Sequence, residues 1–185
     1  VVNVARVAAQ ETTTVPVTVF DSQQLSLGTG FLVETAAKMA AAGCPITEIL
    51  AALNDQISRS HVFAALDTLE FLKRSGRMNK YLAGIGTLLQ LKPILTMYNG
   101  KPSTERVRTR ERATQRLLEK LQGIGPLERI AIVHTHAPER VAELRSLSAH
   151  LLPSAASIPR SLEDCINVQV QPKPRHNPSP PPRLA

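Results

Sequence analysis

The chain has 185 residues, 43% of them hydrophobic and 20% charged, with a net charge of +7 at pH 7. That balance is the balance of a folded protein of one ordinary domain or two small ones. No run approaches the roughly 18 consecutive apolar residues of a membrane-spanning helix, and residues 1–10 lack the basic-then-apolar layout of a signal peptide. Because the first residue is Val1 and not Met, an incomplete piece of a cytoplasmic protein is expected.

Cys44 and Cys165 form neither a disulfide framework nor a C-x-x-C pair. His134 and His136 have no Cys or carboxylate at a metal-ligand offset, so neither a metal nor a cofactor is expected. The basicity is local. Between Lys101 and Lys120, seven basic residues face three acidic ones, and residues 171–185 add Lys173, Arg175 and Arg183 without any acid. The excess is thus one patch and one tail.

In chain order, residues 1–10 read as the end of an Ala/Val-lined helix. Residues 15–20 (V-P-V-T-V-F) alternate like a strand, and the hydroxyl- and glycine-rich loop 21–30 opens onto a helix over 31–42 stopped by Gly43. A second helix follows Pro45, with Thr47 as its cap and Ile46, Ile49, Leu50, Leu53 and Ile57 on one face. His61–Leu66 is a buried strand, 69–74 a short helix and 82–91 a semi-helical stretch. Asn99-Gly100 predicts a hairpin between strands 93–98 and 101–107, because both turn residues must take positive φ. A long amphipathic helix over 108–122 then sets Ala113, Leu117 and Leu121 on one face and Arg108, Arg112, Arg116 and Lys120 on a neighbouring one. Residues 129–134 are a strand and 138–152 a helix with Pro at its first turn. Strand and helix alternate, so the class is α/β. Beyond Pro153 the Pro-rich basic composition predicts disorder, with one edge strand over 166–170.

Individual motifs point several ways. Gly28-Thr29-Gly30 can cradle a phosphate at a helix N-terminus, but Val33 stands where a G-x-G-x-x-G loop needs its third glycine, and a tight turn explains it as well. Ser22, Ser26 and Thr29 are hydroxyls able to bind a carboxylate, and equally ordinary caps. The arginine stripe is a solvated face, a contact for an acidic protein or phosphorylated ligand, or a nucleic-acid surface; six aromatics and no Trp offer few stacking platforms for the last.

Read in order, V-F-D-S at 19–22, L-S-x-G-x-G-F-L-V at 25–33, D-T-L-E-F-L-K-R-S-G-R at 67–77, L-K-P-I-L at 91–95, the Asn99-Gly100 turn and V-R-T-R at 107–110 resemble the DegV family of bacterial fatty-acid-binding proteins. The resemblance spans roughly residues 1–150. It implies a two-lobed α/β fold with mixed sheets flanked by helices, its first lobe (1–60) incomplete, its second over 61–152, and an atypical tail over 153–185. It also implies a non-enzymatic protein that binds one long-chain fatty acid in an interlobe apolar tunnel. The acyl carboxylate would be presented to a partner fatty-acid kinase for phospholipid synthesis.

Carried over by residue, Arg77 lies near the acyl head group or its phosphate. Ser26, Gly28 and Gly30 shape the ligand face, and Arg108, Arg110 and Arg112 dock the kinase. The family's Ser-Gly-Thr and His-x-Gly-x-Gly motifs are absent from this sequence. The alternatives are a small-molecule kinase-like enzyme of related fold, and a nucleic-acid-binding protein acting through the basic helix between Arg108 and Lys120. No membrane span and no specific nucleic acid are expected.

Overall fold

Apolar residues recurring every three or four positions wind three helices before the first strand: Val2–Glu11 (α1), Ser26–Ala41 (α2) and Ile46–Ser58 (α3). The structure, a computed structural model, describes residues 1–68, 74, 92–134, 137–151 and 165–172. The expected helix 69–74 (Arg74 apart), the stretch 82–91, Arg77 and the tail beyond 172 lie outside the described residues. Gly43, at φ +79°, ends α2 as expected: its amide donates to the Ala40 carbonyl and that of Cys44 to the Met39 carbonyl. Leu32, Ile49, Leu53 and Ile57 pack α2 against α3, whereas α1 buries none of its residues.

Three local expectations are corrected here. Residues 15–20 form no strand, for among the described residues no strand pairs with them, and alternation alone supplies no ladder. Helix α2 starts at Ser26, inside the expected loop, because Gly28 packs against the sheet instead of making a turn. Thr47 does not cap α3: Pro45 occupies that place in extended conformation, its carbonyl accepting from the Glu48 and Ile49 amides.

Five strands follow: His61–Leu66 (β1), Lys92–Tyr98 (β2), Lys101–Val107 (β3), Leu127–His134 (β4) and Cys165–Pro172 (β5). Their order is β3-β2-β1-β5-β4. Among the described residues every pairing is antiparallel, in place of the expected mixed sheets. The hairpin is as expected, with Asn99 and Gly100 at φ +47° and +69°. Strand β5 is not an edge, nor is the chain disordered there: it fills the gap between β1 and β4, with a ladder on each side.

Helix Arg110–Ile124 (α4) begins two residues after the expected start, because the Thr109 side chain caps it by accepting the Arg112 amide at 3.1 Å. Pro138–Leu147 (α5) stops before 152, where the Ser148 hydroxyl takes the Leu144 carbonyl and a 3-10 turn, Ala149–Leu151, follows. Both helices cover one face of the sheet. Leu117, Leu121 and Val141 meet Phe63, Ala65, Ile94 and Ile132 there, in a core completed by Leu144. Among the described residues no helix is long and apolar enough to cross a membrane.

Candidate ligand and partner site

The loop before α2 is fastened to the end of the sheet where β1 begins. The Gln24 Nε2 donates to the Ser60 carbonyl at 3.0 Å, and the Gly100 amide donates to the Gln23 carbonyl at 3.2 Å. Gln23 and Ser26 hold φ near +50°, a region that non-glycine residues seldom occupy. Ser22 Oγ and Thr29 Oγ1 lie 3.2 Å apart, one hydroxyl donating to the other. Gly28 lets α2 approach the sheet: a Cβ there would stand 3.0 Å from Val62 Cγ2 and 3.1 Å from Gln24 Oε1.

That contact marks the second face of the sheet. By the pleat and the strand registers, Val62, Ala64, Leu66, Met97 and Ala131 point away from α4 and α5. All five are buried, and none belongs to either core cluster. The result is a strip of small and medium apolar side chains along β1 and β2 on the α2 side, with Ala131 set beyond the register positions of Asn167 and Gln169 in β5.

At the opposite end of the sheet, where β1, β3 and β4 finish, the charges gather. Asp67 follows β1 and binds Arg110 at 3.1 Å and Arg140 at 3.3 Å. The arginine stripe itself is largely paired. Arg116 reaches Glu105 and Glu119, Lys120 reaches Glu105 at 3.1 Å, and Arg112 reaches Glu119 at 3.1 Å. Burial pushes the Glu105 carboxyl upward, but hydrogen bonds from Arg116 and Lys120 outweigh it and hold the group below the usual range. Glu111 is held low by its own amide and the Thr109 hydroxyl, and Glu119 by Arg116.

Carboxylates depressed in the folded state bind fewer protons than in the unfolded chain. Their contribution to stability is therefore full above about pH 4.3 and falls as acid reaches the folded values. Burial also depresses His61, which stacks on Tyr98 at 4.4 Å. Its protonation favours the unfolded chain and starts a loss below about pH 6.5. Urea midpoints measured from pH 8 to 3 should fall in these two stages, and Arg116→Gln should flatten only the lower one.

The family model described as "Uncharacterised protein, DegV family COG1307" matches residues 1–173. The chain belongs to the DegV family. A DegV domain-containing protein of Mycobacterium tuberculosis is 34% identical over 142 residues, covering 75% of this chain and 50% of that protein. The chain spans about half the length of the curated relatives it matches. Its fold superposes on a fatty-acid-binding DegV family protein from Thermus thermophilus with a TM-score of 0.79 at 29% identity, covering 93% of this chain and 66% of that one. DegV from Bacillus subtilis, a fatty acid binding protein, gives 0.78 at 26% identity, with 93% and 66% covered.

Within this DegV fold the residues singled out from the sequence fall into two groups. Ser26, Gly28 and Gly30 share the first turns of α2, at the beginning of β1. Arg108, Arg110 and Arg112 lie at its far end, about 17 Å away along the six residues of β1. Ser26 is exposed, so Ser22 and Thr29 are the hydroxyls brought together on the inner side. His134 accepts the Ala137 amide through Nδ1 at 3.2 Å and so caps the loop after β4. Sequence reading missed Lys92 and Arg140 as partners of Asp67, because the three are distant in the chain. Gly28→Ala should cost about 1–3 kcal/mol by overpacking against Val62, read from urea unfolding. An unchanged midpoint would refute the close-approach role.

Proposed function

We propose that this DegV chain holds a long-chain fatty acid against the second face of its sheet. The acyl carboxylate is offered to a partner fatty-acid kinase, and the chain itself catalyses no reaction. The observation that carries the reading is the apolar strip of Val62, Ala64, Leu66 and Met97, buried outside the core beneath α4 and α5, in a family with solved members named as fatty-acid-binding proteins. Each methylene withdrawn from water against such a wall contributes about 0.8 kcal/mol, so a long acyl chain gains ample affinity without a specific polar contact. In this reading the lobes divide near residue 60 and enclose an apolar tunnel, and the protein works in the cytoplasm. Gly28 and Gly30 shape the tunnel wall beside the Ser22–Thr29 hydroxyl pair, while Ser26 faces solvent. Arg77 sits near the head group.

Native mass spectrometry of the chain purified from bacteria, followed by extraction and gas chromatography, tests the binding step. A co-purifying long-chain acyl load is expected. A chain with no load, and no uptake of added palmitate, would sink the reading.

Docking is tested best at Arg108. It is exposed and has no partner among the described residues, whereas Arg110 and Arg112 are committed to Asp67 and Glu119. Arg108→Glu should weaken kinase capture about tenfold, as expected for a charge reversal at a complementary rim, and leave lipid load unchanged. Equal capture by both proteins would remove Arg108 from the docking surface. The pairing of Arg112, Arg116 and Lys120 with Glu105 and Glu119 leaves a nucleic-acid role little free charge to work with.

A further inference from the structure

Arg110 opens α4 and Arg140 lies in the first turn of α5, yet both meet on one carboxylate. Arg110 Nε donates to Asp67 Oδ1 at 3.1 Å, and Arg140 Nη1 donates to Oδ2 at 3.3 Å. Lys92 closes the group, its Nζ donating to the Asp67 carbonyl at 3.0 Å and lying 3.6 Å from Oδ1. Three cations thus surround a single acid. Asp67 occupies one nitrogen of each guanidinium, so the terminal nitrogens of Arg110, and Nε and Nη2 of Arg140, have no hydrogen-bond partner among the described residues.

The surroundings add to the imbalance. Two helix N-termini converge here, and each carries partial positive charge that disfavours a cation beside it. Glu111 also couples to Arg110 and Arg140, and its carboxylate is already held by its own amide and Thr109. Lys92 and Arg140 are only 25% and 21% exposed, so their field is less screened than that of a surface pair, while Arg110, 58% exposed, leaves the cluster open to solvent.

We propose that Lys92, Arg110 and Arg140, gathered by Asp67, form a phosphoryl-anion site where β1, β3 and β4 end. A phosphate dianion suits the cluster better than a carboxylate. It offsets more of the positive excess, and its tetrahedral oxygens match two guanidinium forks at once. The phosphoryl group can arrive on a nucleotide or on an acyl phosphate, since the site engages only the terminal oxygens common to both. The site stands apart from the fatty-acid reading, because a phosphoryl probe needs no acyl chain to test it.

Calorimetric titration of the 185-residue chain with pyrophosphate, acetyl phosphate and magnesium-free ATP, at fixed ionic strength, decides the matter. Saturable binding is expected, weakened about tenfold by Arg140→Gln and likewise by Arg110→Gln, as for the loss of one charge-assisted fork. Arg145→Gln, which removes an exposed charge from the same helix, should bind like the parent. Tighter acetyl phosphate would point to an acyl phosphate and tighter ATP to a nucleotide, and either result supports the site. Should Arg140→Gln fail to fold, Arg110→Gln carries the test, since Arg110 is mostly exposed. No binding at concentrations up to about 10 mM, a range that already admits interactions weaker than 4 kcal/mol, overturns the proposal, as does equal weakening by Arg145→Gln.

Discussion

Deleting residues 165–185 should abolish cooperative unfolding, whereas deleting 173–185 should leave it intact. The first deletion removes β5, which lies between β1 and β4 and pairs with both. Without it β4 has no ladder among the described residues, and α5 loses the strand that Val141 and Leu144 pack against. Backbone hydrogen bonds contribute about 1 kcal/mol each once made, but a strand stripped from the interior of a sheet leaves two rows of donors and acceptors open. A total stability of about 5–15 kcal/mol does not survive that loss. The second deletion keeps Pro172, whose register partner is Leu127, and removes only the last residue of the family match. Circular dichroism during urea titration reads both chains. If the shorter chain kept the parent midpoint, β5 would not be a structural strand.

The contrast between β5 and the hairpin shows what a local pattern can convey. Asn99 and Gly100 are neighbours, and the turn they form needs only their own φ angles, so the hairpin was legible with its bounds nearly correct. Residues 166–170 were legible only as one edge strand in a stretch whose composition predicts disorder. The strand's central place was not legible, because that depends on β1 and β4, segments far away in the chain. Residues 15–20 show the converse, an alternation with no ladder partner among the described residues.

The candidate site was legible in the same partial way. The spacing of Arg112, Arg116 and Lys120 revealed a basic face, but not that Glu105, projected from β3, neutralises part of it. Gly28 stood out as a loop glycine. Its work is to bring a helix within contact of Val62, which only the folded chain discloses. Asp67, Lys92 and Arg140 carry no common motif and meet only because three strands end, or begin, at the same end of the sheet.

The two faces of the sheet should respond differently to substitution. Leu117 is 1% exposed beneath α4 and Leu144 is 0% exposed beneath α5, each packed in the same core. Leu117→Ala and Leu144→Ala should each cost about 2–5 kcal/mol, the transfer loss plus the cavity left behind. The proposed acyl chain touches neither side chain, so the folded fraction should keep its lipid load. Ala64 lies on the other face, paired in register with Leu95 and Asn167 but pointing away from the helices. Ala64→Leu should cost less stability, about 1–3 kcal/mol for overpacking, and yet displace the lipid by filling its space. Urea midpoints and native mass spectra of the same preparations separate these effects. Lipid loss that merely followed stability across all three variants would contradict a ligand wall on the second face.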